Sequence, residues 1–451
     1  MKRVLAFMFA AVLVAAAICS VSLHAQRATH HYLILARGHG PGSTSFLTSV
    51  RAAGGTVTAV YEDIGIVLAD SSNPAFSSRV ESMAAVQGVA EDVSVQWISP
   101  NERAVRAGEL RVRPTGVNTE PLNGDLWNLR QIHADATAAA GYQGEGAVVA
   151  VIDTGINTGH PDLAPNIDFA RSYAFVPSTL GAGYPPYEDD YFHGSHVAGI
   201  IAGAINDVGI QGVAPRAKIV AIKVMDSEGS GSFGNIIGGI LYATSLHVDV
   251  INMSLAATFD RVNAGGGGIG TLLAALNRAI NFATAERVFV VSSAGNDGVN
   301  LNSRAFSIPA QSGNGMAVAA TGPIARENFD RPASYTNYGQ SVIDVAAPGG
   351  DLTLFPSESP FPWYLDMVLS CGNRGSEDPD NADTYFYAAG TSMAAPHVSG
   401  LAALIVGQYG HLGAAQIGSI IGHSADDILA PGADPYSGRG RINAARALGL
   451  Q

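Results

Sequence analysis

The sequence predicts an α/β protein, with a parallel sheet covered by helices on both faces and a small α+β unit in front of it. Three observations carry this. From about Leu126 onward, short continuous apolar runs alternate with stretches of helical spacing, and strands apolar on both sides belong to sheets buried on both faces. Between residues 28 and 99 the runs follow the order β-α-β-β-α-β of a ferredoxin-like split unit. Apolar residues make up 47% of the 451 residues and charged ones only 14%, so a large core is available and a disordered chain is excluded.

The elements follow in order. Lys2 and Arg3 precede an apolar run from Val4 to Ile18, and Leu23-His24-Ala25 ends on a small residue. This is the pattern of a signal peptide over 1–25, too short for a comfortable membrane span. Cys19 invites a lipoprotein reading, but the bulky Ile18 before it argues against one. In the small unit His31–Leu35, Thr56–Val60, Ile64–Leu68 and Ala90–Ile98 read as strands, and Ser43–Ala53 and Pro74–Val86 as helices. Residues 100–122, with Arg103, Arg106, Arg111, Arg113 and Pro114, lack apolar periodicity and read as an exposed linker. From 123 to 451 the strands are Val148–Ile152, Ile219–Val224, Val248–Met253, Val288–Ser292 and Met316–Ala320. Ser195–Ile205, Asn235–Leu246 and Thr271–Ala285 are helices between them. Residues 350–384, rich in proline and acid, form a long insertion before Ser392 that could rim a cleft. No further domain is expected after the helix around Asn443–Leu448.

A net charge of −13 offers no basic patch to nucleic acid or an anionic membrane, and neither is expected as a partner. With the signal removed, Cys371 is the one cysteine left, so no internal disulfide is expected.

Four side chains stand where chemistry collects in such sheets, at the carboxyl ends of strands or the start of helices. Asp153 follows the apolar run Val148–Ile152; alone, it reads first as a helix-capping or turn residue. Its D-T-G string also marks aspartic peptidases, which need two such carboxylates, and the chain has one. His193 opens a helical stretch, and no H-E-x-x-H string points to zinc. Asn296 ends another buried run, where its amide can donate to a developing oxyanion or simply start the turn at Asp297-Gly298. Ser392 begins the helix Met393–Val406, the place of a helix cap or of a nucleophile beside unpaired N–H groups. Its string G-T-S-M-A is not the G-x-S-x-G elbow of α/β-hydrolases.

Together, in the order Asp…His…Asn…Ser, the strings AVIDTGI, HGSHVAG, INMSL, SSAGN and GTSMAAPHVSGLAAL resemble the subtilisin-like serine peptidases over about residues 122–447. The resemblance implies a secreted or periplasmic serine endopeptidase acting on proteins or peptides, with Ser392 as nucleophile, His193 as base, Asp153 orienting it and Asn296 as oxyanion donor. It implies substrate contacts at Ser230, Gly231 and Phe233 on one wall and at Ser254, Leu255 and Ala256 on the other. Ser293, Ala294 and Gly295 would line the pocket for the residue before the cut, where no charge is visible and broad apolar preference is expected. It implies calcium held by Asn123, Asp162 and Asn206 with the carbonyls of Ala204, Val208 and Ile210; a plain surface loop is the alternative. The unit at 28–99 resembles the family's propeptide, an intramolecular inhibitor to be cut off within 100–122. Two other classes remain: a non-catalytic binding protein on this scaffold, and a processing protease with one target.

Overall fold

The computed structural model describes residues 28–38, 42–107, 120–262, 268–354, 362–374 and 381–450. The signal segment 1–25, Arg111, Arg113 and Pro114, and parts of the glycine-rich loop and of the 350–384 insertion lie outside the described residues.

The N-terminal unit holds β1 (His30–Ala36), α1 (Thr44–Ala52), β2 (Thr56–Tyr61), β3 (Ile66–Ser71), α2 (Phe76–Glu81) and β4 (Val86–Glu91). Its sheet is antiparallel in the order β2-β3-β1-β4. Several expected boundaries move: the helix expected over Pro74–Val86 ends at Glu81, and Val86 already opens β4. The third strand starts at Ile66 because Glu62–Ile64 is a 3₁₀ turn closed by Gly65 at φ 68°, a left-handed position glycine fills without strain. The run Ala90–Ile98 is not one strand: β4 ends at Glu91, and β5 (Ser94–Gln96) leaves the sheet to pair elsewhere. Within the expected linker, β6 (Arg103–Arg106) is also a paired strand.

The second unit begins with α3 (Trp127–Gln131) and α4 (Ala134–Ala139). It continues through β7 (Val148–Asp153), β8 (Tyr173–Ala174), α5 (His193–Ala202), β9 (Lys218–Lys223), β10 (Ser230–Ser232), α6 (Phe233–Ser245), β11 (Val250–Met253), β12 (Ala257–Asp260), α7 (Ile269–Ala285) and β13 (Phe289–Ser293). Then come β14 (Ala305–Ile308), β15 (Met316–Thr321), β16 (Val345–Pro348), β17 (Val368–Cys371), β18 (Tyr385–Ala389), α8 (Thr391–Tyr409), α9 (Ala414–Ser424) and α10 (Ala444–Ala447). Seven strands form a sheet in the order β16-β15-β13-β11-β7-β9-β8, every neighbour parallel.

The alternation along each strand feeds two cores. Val149 and Val151 of β7 pack with α5 and α8, whereas Ala150 and Ile152 pack with α6 and α7. Burying Val149, Val151 and Ile152 contributes about 1.5–3 kcal/mol each. The N-terminal sheet is sandwiched in turn. Ile34, Val67 and Ala69 face its own helices. Leu33, Leu35 and Ile66 point the other way, into the core shared with α6 and α7. Asp92 fixes the docking: its carboxylate accepts from the Gly234 N–H at 2.9 Å and the Ser232 hydroxyl at 2.8 Å, at the positive end of α6. The insertion expected over 350–384 is partly regular, since β17 forms a hairpin with β18 and buries Cys371. No helix among the described residues is long and apolar enough to cross a membrane.

Candidate active site

Asp153 is the last residue of β7 and His193 the first of α5, so the sheet's carboxyl edge brings them together. His193 Nδ1 lies 2.7 Å from Asp153 Oδ1, and both side chains are fully buried. The Thr154 N–H donates to the same oxygen at 2.7 Å. Burial alone would make His193 less basic, but the carboxylates of Asp153 and Glu102 outweigh it and hold the imidazole well above its ordinary range.

Asp189 builds the junction. One of its oxygens accepts from the Thr154 hydroxyl and the N–H groups of Tyr191 and Phe192; the other accepts from the N–H and hydroxyl of Ser195. It ties the end of β7 to the start of α5, and therefore Asp153 to His193. Its neighbours in Glu188-Asp189-Asp190 are equally committed, Glu188 to Arg374 and Thr158, and Asp190 to the buried Lys223.

Ser392 is the second residue of α8, and its side chain faces the cleft nearly buried. Asn296 sits just past β13 with its amide fixed: Oδ1 accepts from the N–H and the hydroxyl of Thr391, at 2.8 and 2.7 Å. That orientation leaves Nδ2 as the donor facing the cleft. Gly295 before it has φ 102°, and a Cβ there would lie 2.4 Å from Asn337 Nδ2. Among the described residues no hydrogen bond joins His193 to Ser392, because His193 Nε2 faces Glu102 instead, 3.1 Å from Oε1. Sequence reasoning missed Glu102, an acid in a segment with no periodicity.

The expected walls are occupied by the chain's own N-terminal segment. β5 pairs antiparallel with β10, aligning Gly231 with Val95 and Ser230 with Gln96. On the opposite wall the Ala256 N–H donates to the Trp97 carbonyl at 2.9 Å. Trp97 packs edge-on against Phe233, with ring centroids 5.2 Å apart, and its indole N–H donates to the Gly231 carbonyl. Leu255 lies in the same core, and Ser254 accepts from Asn252 and donates to the Ser392 carbonyl. Next to these, a cavity of about 280 Å³ is lined by Ala256, Ala257, Phe259, Ser293, Asn296 and Ser392, among others. Ala294 is buried behind it, its N–H donating to Val318. The expectation of an uncharged pocket needs correction, because Asp297 stands at its rim, partnered by the Thr258 hydroxyl.

Of the expected cation ligands, Asp162 and Asn123 each carry a buried oxygen without a hydrogen-bond partner. Asn206 is turned into its own loop, accepting from the Val208 N–H and donating to the Pro161 carbonyl. Glu120, unforeseen, accepts from the N–H groups of Asn206 and Asp207 with one oxygen, and its other oxygen is buried without a partner. Burial pushes the Asp162 carboxyl up to about 7, with Glu120 and Asp383 adding to it. The Ala204 N–H donates to the Asp162 carbonyl, and the Ile210 N–H to its carboxylate. A second cluster, His160, Asp162 and Cys371, is buried, but both ring nitrogens of His160 are engaged, by the Asp162 N–H and the Thr384 carbonyl.

Several known proteins are similar to this chain in sequence and fold. Residues 144–441 match the model of the subtilase family. The chain is 36% identical over 317 residues to subtilisin of Bacillus pumilus, covering 70% of this chain and 96% of that protein. It is 34% identical over 307 residues to thermitase of Thermoactinomyces vulgaris, covering 68% and 90%. In fold it resembles the epidermin leader peptide processing serine protease of Staphylococcus aureus, with a TM-score of 0.74 at 20% identity over 94% of this chain and 98% of that one. A protease of Pseudoalteromonas arctica aligns with a TM-score of 0.60 at 30% identity, over 74% and 99%.

Proposed function

Since the chain belongs to the subtilase family and is a serine endopeptidase acting on proteins or peptides, we propose that Ser392, His193, Asp153 and Asn296 carry its chemistry and that it is made as a secreted, self-processed precursor. The observation that carries this reading is the convergence of His193 Nε2 and Asn296 Nδ2 on the Glu102 carboxylate, with Asp153 behind the imidazole at 2.7 Å and Thr391, next to Ser392, bound to Asn296 Oδ1.

Ser392 Oγ attacks the scissile carbonyl carbon while its proton passes to His193 Nε2. Asp153 keeps Nδ1 protonated and stabilises the imidazolium. The oxyanion accepts from Asn296 Nδ2 and from the first-turn N–H of Ser392, which has no partner within the helix. His193 then gives its proton to the leaving amine, and water hydrolyses the acyl ester by the same route. The segment Ser94–Ile98 supports the walls assigned to substrate, since it lies between them as an extended peptide would.

Residues 1–25 act as the signal peptide, and the chain is cut within 100–122 to release the N-terminal unit as the enzyme's inhibitor. Calcium fits the loop beside Asp162: orphaned buried oxygens of Asp162, Asn123 and Glu120 are hard, anionic or amide donors. They, with the carbonyls of Ala204, Val208 and Ile210, would hold the ion, which would stabilise the loop between α5 and β9. Asn206 joins this set only if its side chain turns.

Intact mass of the secreted protein tests the reading. Wild type should lack the N-terminal unit and Ser392→Ala should retain it. Removal of the unit at the same rate from both proteins would refute self-processing.

A further inference from the structure

The N-terminal segment enters and leaves the cleft as a substrate would, yet is folded in the middle. Before the catalytic centre, Ser94–Ile98 is extended between β10 and Ala256. After it, β6 pairs antiparallel with β18, aligning Arg103 with Ala389. Between them residues 99–102 close a turn, in which the Glu102 N–H donates to the Ser99 carbonyl at 2.9 Å and the Asn101 N–H to the Ser99 hydroxyl at 3.2 Å. Attack by Ser392 needs an extended peptide whose carbonyl oxygen reaches the donor site. Here the carbonyl of Ser99 is held within the turn, and those of Pro100 and Glu102 accept from Arg103 Nη1.

What reaches the donor site is a side chain. Glu102 is almost fully buried, with Oε1 3.1 Å from His193 Nε2 and Oε2 3.3 Å from Asn296 Nδ2. Its carboxylate spans the proton acceptor and the oxyanion donor at once. Gly390 makes room, since a Cβ there would lie 2.7 Å from Glu102 Oε2. We propose that Glu102 locks the intact precursor by placing its carboxylate where the tetrahedral oxyanion would form, while the turn at 99–102 withdraws the neighbouring peptide bonds from Ser392. The lock rests on the assignment of Ser392, His193 and Asn296 given above. The first cut then requires this turn to open. Departure of Glu102 also removes one of the two carboxylates that raise the His193 imidazole above its ordinary range.

The test is the rate at which a fluorophosphonate probe labels the intact precursor band, for full-length wild type, Glu102→Gln and Glu102→Ala, each alone and with Ser392→Ala. The lock predicts labelling at least tenfold faster for Glu102→Ala and a smaller gain for Glu102→Gln, which keeps the volume but loses the ion pair. Should either variant mature too fast to isolate, pulse–chase should show its precursor disappearing at least tenfold faster than wild type. Labelling and maturation of soluble Glu102→Gln precursor at wild-type rates would overturn the lock. Probe retained in the Ser392→Ala proteins would instead overturn the nucleophile assignment, so the two failures read differently.

Discussion

The two units are built to different standards. The catalytic unit buries both faces of a seven-stranded parallel sheet under its own helices. The N-terminal unit covers only one face of its sheet; Leu33, Leu35 and Ile66 on the other are buried by α6 and α7 of its neighbour. A small domain is marginal even with its whole core, and this one lends part of its core to the interface. The catalytic unit therefore carries stability and chemistry, and the N-terminal unit is held in place largely by the surface and the cleft it covers.

Removing a group from the catalytic centre should leave this division intact while abolishing turnover. His193→Ala is expected to lower kcat by about 10⁶-fold, as for triads that act as a unit, with no change in the urea midpoint beyond that of a single buried substitution. Truncating the anchor of the N-terminal unit should do the reverse. Trp97→Ala, made in Ser392→Ala protein, should weaken docking by about 3–5 kcal/mol, seen as lost hydrogen-exchange protection in the N-terminal unit but not in the parallel sheet. Equal loss in both would mean that they unfold as one. Asn296→Ala should cost about 2.7–4 kcal/mol of transition-state stabilisation, read as a 10²–10³-fold drop in kcat with little change in KM.

The smallest effect is acid-linked and should be confined to the catalytic unit. His196 and His397 are buried, and burial pushes them down to about 3 and about 4. His397 donates from Nδ1 to the Met393 carbonyl and accepts at Nε2 from Asn128, which suits the neutral ring. Their folded values are depressed, so the stability they support is complete above pH ~6.5 and is lost as pH falls toward 4; at pH 5 each should account for about 2 kcal/mol. Urea unfolding of Ser392→Ala and of Ser392→Ala with His397→Gln at pH 7.5 and 5.0 measures this, since the groups held above their ordinary values, Asp162 and His193, are common to both and cancel; an equal change with pH in the two proteins would contradict it.

Continuous apolar strands announced the parallel sheet, because burial on both faces leaves no polar alternation. The strings around Asp153, His193, Asn296 and Ser392 stand out because each ends or opens an element. What stayed hidden depends on tertiary partners. No string or periodicity singles out Glu188-Asp189-Asp190, yet each carboxylate has its own partner, and Asp189 holds the strand and helix that present Asp153 and His193. Glu102 and β6 lie in a stretch with no periodicity, and their partners are remote in sequence: β6 is held by β18, and Glu102 faces His193 and Asn296. Asp297 reads only as a turn residue, because its place on the pocket rim depends on the tertiary approach of Thr258 in β12.

The central claim is that Ser392 is a nucleophile activated by His193. Mass mapping of a fluorophosphonate adduct on the processed enzyme tests it most directly. The adduct should fall on Ser392 in wild type, form far more slowly in His193→Ala and be absent from Ser392→Ala; an adduct on another residue, or one that forms equally fast without His193, would contradict the account.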